Sequence, residues 1–457
     1  MAKVTNSSKQ CMVNPLRLSQ PLGAALAFLG MDRCLPLLHG AQGCTSFGLV
    51  LLVRHFRESI PLQTTAMTEV STVMGGVENL EQAILNIAKR ANPALIGICT
   101  TGTTEVRGDD LNAFLAIIRA RHPELDSVQL VHVSTPDFSG AFQDGWAHAV
   151  TRMIEEIVEL PAGLREPRRV NVLPGSHLTV GDIDELREIF EAFNLIPVFL
   201  PDLSGSLDGH IPEEFLPTTL GGSTIDDVRT MGNAAWTIAI GAQMRGAAIT
   251  LEHRTGVPYR LFERLTGLSS CDEFMEFLSR VSGASVPRRY CRQRGQLVDA
   301  MLDGHFFFGG KSVSVAAEPD LLWTMTSWLH EMGCEIQSAV TTTMSPLLEE
   351  IPTAEVVLGD LEDIENTAAG ADLIIASSQA RQTAERLNVP LFRIGLPIFD
   401  RLGTAHQTTV GYRGTRDLIF SVGNLLISAT HEPTPQTWAT ASAESSQSST
   451  EHLSLPS

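Results

Sequence analysis

Apolar residues in this chain follow two spacings that take turns. Short continuous runs, Ala94 to Cys99, Val128 to Val133, Arg169 to Leu173, Leu195 to Leu200, Ser312 to Ala317, Ile336 to Val340 and Leu373 to Ala376, are bounded by Gly, Pro and Ser and predict buried strands. Between them the apolar positions recur every three or four residues, which predicts helices over Asp109 to Arg121 and Phe142 to Leu160. Ile183, Leu186, Ile189, Phe190 and Phe193 share one face of a further helix. Leu321, Leu322, Met325, Trp328, Leu329 and Met332 share a face of another, with Pro319 in its first turn and Gly333 at its end. Aromatic and methionine side chains at these spacings read as packing.

Strand, turn, helix, strand is the unit of an α/β fold. Right-handed crossovers force such units into parallel sheets flanked by helices on both faces. The chain length and the breaks in pattern predict three Rossmann-like domains over 1–165, 166–300 and 301–430, divided near Pro161 to Pro167 and along Arg288 to Gly310. Residues 431–457 are rich in Ser, Thr, Pro and Glu and are expected to be a disordered tail. In such a fold, ligands belong at the carboxyl ends of the strands.

Charge narrows the function. Lys and Arg number 33 against 52 Asp and Glu, a formal net charge of -19, which excludes non-specific binding to nucleic acid or to an anionic membrane. No run reaches the roughly twenty apolar residues of a membrane span, and the first residues lack a signal-peptide pattern. The expectation is a cytoplasmic protein. Cysteines at 11, 34, 44, 99, 271, 291 and 334 form no Cys-x-x-Cys pair, so all but Cys44 are expected to be free and mostly buried thiols.

Cys44 differs in its setting, His39-Gly40-Ala41-Gln42-Gly43-Cys44, with the apolar run Phe47 to Val53 behind it as a helix start. Glycines admit backbone amides close to a sulfur anion, and a helix N-terminus favours negative charge, so a lowered thiol pKa and a metal ligand are expected here. His39 reads as a packing neighbour of that ligand. Gly310-Lys311-Ser312 ends like a phosphate-binding loop, but His305 stands where its first glycine belongs and a strand follows it, so it reads as a turn. Gly221 to Thr224 reads as an ordinary helix cap.

Around Cys44 lie further motifs: Asn14-Pro15-Leu16 and Gln20-Pro21-Leu22-Gly23-Ala24 upstream, then Thr100-Thr101-Gly102-Thr103-Thr104-Glu105-Val106-Arg107-Gly108-Asp109-Asp110-Leu111. Leu200-Pro201-Asp202-Leu203-Ser204-Gly205-Ser206-Leu207-Asp208-Gly209 and Arg393-Ile394-Gly395-Leu396-Pro397-Ile398-Phe399-Asp400-Arg401-Leu402-Gly403 follow far downstream. Together they resemble the β-type subunits of the nitrogenase family, of component 1 type, and most closely the NifN-type subunits of the NifEN scaffold. Where the catalytic β subunit carries three cluster cysteines, this chain has Ser19, Cys44 and Gly102.

The resemblance implies that Cys44 is the one metal-binding and cofactor-binding residue, giving a single ligand to a [4Fe-4S] cluster shared with a NifE-type α subunit, in a heterotetramer. It also implies a scaffold that holds the iron-molybdenum cofactor precursor. The nitrogenase iron protein would supply electrons, and apo molybdenum-iron protein would accept the product. No acid-base catalytic residue is implied. The alternative is a subunit of a true reductase, nitrogenase itself or the dark-operative protochlorophyllide enzyme. The missing cysteines at 19 and 102 speak against a standard nitrogenase β subunit.

Overall fold

The computed structural model describes residues 1–9, 15–161, 163–210 and 215–429; Cys11 and the 431–457 tail lie outside them. Among the described residues the strands form three sheets, and every pairing inside them is parallel. The first sheet runs, in spatial order, Gln63–Thr64, Leu37–His39, Leu95–Thr100, Gln129–Val133. The second runs Ile196–Phe199, Glu166–Pro174, Ala234–Ile240, Tyr259–Phe262. The third runs Lys3–Asn6, Glu355–Leu358, Glu335–Thr341, Ser312–Ala316, Leu373–Ala376, Leu391–Arg393. The α/β class with parallel sheets flanked by helices is thus observed as the sequence predicts.

Central strands are apolar because they are covered twice. Leu95–Thr100 is buried at every position, as Leu373–Ala376 is. The helix Val180–Ala192 buries Ile183, Leu186, Ile189 and Phe190 on its predicted face, and Phe193 is buried at its C-cap. The helix over Pro319–Glu331 starts at the expected proline, and Gly333 follows its end at a positive φ of 86°. Gly310-Lys311 is a turn before a strand, with the Lys311 ammonium 2.9 Å from Asp372. Thr224 caps the helix Ile225–Arg229 by accepting from the Asp227 amide.

Several elements differ from the sequence reading. The helix expected over Asp109 to Arg121 begins at Leu111 with Asp110 as its cap, and a separate short helix spans Gly102–Arg107. The helix from Phe142 ends at Ile157. The stretch 288–310 is mostly one helix, Arg288–Phe308, packed against the C-terminal helix Gly411–Ala429. Cys34, Cys99, Cys271 and Cys334 are buried free thiols as expected, but Cys291 is exposed. It sits one turn into the Arg288–Phe308 helix, on the side that carries Arg288, Arg289 and Arg292 to solvent.

The three sheets are tied together by a few close contacts. The helix Gln20–Leu29 is buried along its whole length and crosses the helix Phe142–Ile157 at two glycines. A Cβ on Gly23 would lie 1.9 Å from the Phe142 carbonyl oxygen, and one on Gly145 would lie 1.9 Å from that of Gln20. Trp146 is buried at this crossing, and its indole N-H donates to the Pro174 carbonyl at the end of a second-sheet strand, 3.0 Å away. Asp182 holds the chain before the last helix, accepting from the amides of Thr409 at 2.5 Å and Val410 at 3.1 Å.

Glu318 joins the first unit to the third. Its carboxyl accepts from the Thr342 hydroxyl at 2.8 Å and from the Gln143 amide at 3.3 Å. Burial pushes its pKa up to about 7, and burial pushes that of nearby Asp320 up to about 6. A carboxyl whose folded pKa lies above its unfolded value binds its proton more tightly when folded. Its contribution is therefore complete below the unfolded pKa and is lost as pH rises through about 7. Glu318→Gln removes the titration while keeping an acceptor oxygen. Thermal melts of the two proteins are expected to diverge in favour of the glutamine variant as pH is raised from 5 to 8, and parallel melting curves across that range would refute the assignment.

Candidate metal centre

Three adjacent strands of the first sheet deliver the site. His39 lies opposite Thr100, and Cys99 lies opposite Val133, so the loops that leave these strands start side by side. They are Gly40 to Ala41, leading into the helix of Cys44, Thr101, leading into that of Gly102, and Ser134 to Gly140, all at the carboxyl edge, where an open α/β sheet places its ligands. The His39 carbonyl accepts from the hydroxyls of both Thr101 and Thr104, each at 3.2 Å, which locks the first loop to the second. Gly40 is needed for that approach, since a Cβ there would lie 2.1 Å from the Thr101 hydroxyl. Gly43 has open space instead, with nothing within 4 Å of a Cβ.

The helix behind Cys44 begins earlier than the apolar run indicates. It spans Gln42–Phe56 with Ala41 as its cap, so Cys44 is the third residue of the helix and is exposed. Its thiol pKa is raised, which reverses the expectation of an acidic thiol. Partial burial is the first cause and the negative charge of Asp137 the second; the amide of Cys44 itself pulls the other way and is outweighed.

The segments that carry residues 19 and 102 meet at the Ser134 to Gly140 loop. Ser19 occupies the cap position of the Gln20–Leu29 helix without making a side-chain cap, and the next side chain, Gln20, donates to the carbonyls of Ser139 at 2.7 Å and Pro136 at 3.3 Å. The Gly102 amide donates to the Asp137 carboxylate at 2.9 Å. Arg17 donates to the Asp137 carbonyl at 3.1 Å. Asp137 is the residue the sequence reading missed; its only local signal is a carboxylate after Pro136 in the turn that closes an apolar strand.

His39 is buried. Its Nδ1 lies 3.1 Å from the Thr65 hydroxyl, and burial lowers its pKa to about 4, leaving a neutral ring. That ring packs where a Cβ on Gly76 would lie, 2.8 Å from its edge. The threonine-rich motif is scaffolding. Glu105 accepts from Thr100 and from Ser134 at 2.7 Å, and Arg107 donates to the Thr72 carbonyl at 2.8 Å while pairing with Asp109 at 2.8 Å.

The two distant motifs turn out to grip the far end of the Cys44 helix. Glu58, just past its end, accepts from the Gly209 amide at 2.9 Å. His55 accepts from the Ile398 amide at 3.0 Å, Arg57 donates to the Phe399 carbonyl at 2.8 Å, and the Arg54 guanidinium lies 4.3 Å from the centre of the Phe399 ring. Asp202 and Asp400 hold their own loops, the first pairing with Arg187 at 2.5 Å and the second with Arg393 at 2.7 Å. The near end is left open. Phe47, Val50 and Val53 follow Cys44 at three-residue spacing and face solvent, with Phe47 67% and Val50 53% exposed. Val70 and Val106 are exposed as well.

Among the described residues, no group of three or more His, Cys, Asp or Glu side chains is placed to hold a metal ion, and no helix is long and apolar enough to cross a membrane. Residues 19–427 match the nitrogenase component 1 type oxidoreductase family. The chain is 59% identical over 447 residues to the nitrogenase iron-molybdenum cofactor biosynthesis protein NifN of Bradyrhizobium diazoefficiens, covering 96% of this chain and 95% of that one. It is 52% identical to the protein of the same name from a Nostoc species, covering 94% and 96%. A solved structure described as nitrogenase Cp1 at pH 6.5 superposes with a TM-score of 0.89 at 32% identity, over 94% of this chain and 97% of that chain. The chain therefore belongs to the nitrogenase component 1 type family, in its NifN branch.

Proposed function

We propose that this chain acts in iron-molybdenum cofactor biosynthesis as the β-type half of a scaffold, giving Cys44 as its one ligand to a [4Fe-4S] cluster completed by a NifE-type partner. The observation that carries the reading is an exposed thiol at the open end of a helix whose apolar face, Phe47, Val50 and Val53, is left to solvent. An apolar face of this kind suits a partner subunit.

The donor set fits such a cluster. A cuboidal cluster needs about four thiolate-class ligands, and a single sulfur with open space beside it at Gly43 can serve one iron corner. The remaining ligands come from another chain. When bound, the cluster supplies one-electron chemistry; the protein fixes the position of the sulfur, excludes water once the partner covers the apolar face, and sets the local charge. On this reading the iron protein delivers electrons at that interface, the complex carries the cofactor precursor while molybdenum and homocitrate are added, and apo molybdenum-iron protein receives the product in the cytoplasm.

The raised thiol pKa bears on loading alone. A metal ligand must be deprotonated, so binding at Cys44 releases a proton and is favoured as pH rises. The reading is tested by isolating the chain anaerobically with its co-expressed partner and mixing the complex with cofactor-deficient molybdenum-iron protein, molybdate, homocitrate and the reduced iron protein with ATP. Recovery of nitrogenase activity is expected. A complex that carries iron but never restores activity would overturn the scaffold role.

A further inference from the structure

Asp137 stands where the three loops of the site meet, and the scaffold reading gives it no task. Its carboxylate accepts from the Gly102 amide at 2.9 Å, on the loop that leaves the strand next to the one leading to Cys44, and its charge acts on the Cys44 thiol. A Cβ at position 102 would lie 3.2 Å from its carboxylate oxygen, so the glycine and the acid are fitted to each other. Arg17 is bound to the carbonyl of the same residue, at 3.1 Å, and fixes the loop without making a hydrogen bond to the carboxylate. Asp137 is exposed in the isolated chain, as Cys44, Phe47 and Val50 are.

An exposed charge is screened by water, but the same charge covered by a partner acts in a medium of lower dielectric and is felt several times more strongly. A fixed negative charge beside an iron-sulfur cluster opposes the addition of an electron, since reduction makes the cluster more negative. Geometry adds a second effect. The amide of Gly102 is occupied by the carboxylate, so it would not be free to donate to a sulfur of a bound cluster, a bond that would favour the reduced form.

We propose that Asp137 is a positioning residue that holds down the reduction potential of the cluster ligated by Cys44, through its charge and by engaging the Gly102 amide. The inference rests on the scaffold reading. The couple is a single-electron reduction of the cluster, the electron coming from a low-potential donor and no bond being made or broken at Asp137.

Asp137→Asn keeps an acceptor for the Gly102 amide and removes the charge; Asp137→Glu keeps the charge. Each is made in the complex with the partner subunit, and the cluster is titrated with low-potential dyes while its reduced signal is followed by electron paramagnetic resonance. Unchanged iron content in both variants, with a midpoint shifted to more positive potential in Asp137→Asn and a smaller shift in Asp137→Glu, is the expected result. A midpoint in Asp137→Asn equal to that of the unaltered complex overturns the inference while leaving the cluster assignment standing. Loss of iron in Asp137→Asn but not in Asp137→Glu overturns it too, by making the carboxylate a ligand. An unaltered complex without a cluster defeats the scaffold reading itself.

Discussion

Cys44→Ala is expected to strip the interface cluster from the complex while leaving this subunit folded. The thiol is exposed and fills no core space, so the change in stability should stay within about 0.5 kcal/mol, as for most surface substitutions. A cluster with a missing corner ligand, by contrast, loses a metal-sulfur bond that no neighbouring group replaces. Among the described residues no second cysteine shares that edge of the first sheet beyond the buried Cys99, whose thiol burial drives far above its ordinary pKa. Iron analysis and electron paramagnetic resonance of the reduced complex measure the effect, with circular dichroism to establish folding. A full-strength cluster signal in the alanine variant would remove Cys44 from the centre.

Gly145→Ala is expected to be among the most damaging small substitutions in the fold. The added methyl carbon would sit 1.9 Å from the Gln20 carbonyl oxygen, a main-chain atom that cannot rotate aside. The helices Gln20–Leu29 and Phe142–Ile157 must then separate, and overpacking of that kind costs about 1–3 kcal/mol, here toward the upper end. Separation also reaches the site, because the Gln20 side chain holds the Ser134 to Gly140 loop through the carbonyls of Pro136 and Ser139. A lower melting temperature and a reduced cluster content should therefore appear together. Gly246→Ala is the control, since a Cβ there meets nothing within 4 Å. Equal melting temperatures for the two variants would contradict the crossing described above.

The core strands and amphipathic helices could be read from local pattern because each is covered by its own unit. Leu95–Thr100 and Leu373–Ala376 are apolar at position after position, and no distant partner is needed to explain them. What escaped was set by contacts far apart in the chain. Lys3–Asn6 is an edge strand by virtue of pairing with Glu355–Leu358, a register that four residues cannot announce. The start of the Cys44 helix was misplaced because Gly43, Cys44, Thr45 and Ser46 have weak helix propensity, while the grip that stabilises the helix comes from Gly209, Ile398 and Phe399.

At the site itself the identity of the metal-binding candidate was legible from its motif, and its electrostatics were not. The glycines and the following helix indicated a thiol of lowered pKa. Partial burial, with the charge of Asp137 from a nearby loop as the second cause, decides the balance against it. Such through-space neighbours leave no trace in the spacing around a cysteine.

The grip on the rear of the Cys44 helix has a consequence for assembly order. Glu58, His55 and Arg57 find their partners on segments that lie beyond strands of the second and third sheets. A nascent or half-folded chain thus lacks the anchor that orients its sulfur, and has little to offer an incoming subunit. The direction in which this exposed thiol points is thus a property of the whole molecule and not of its first unit alone.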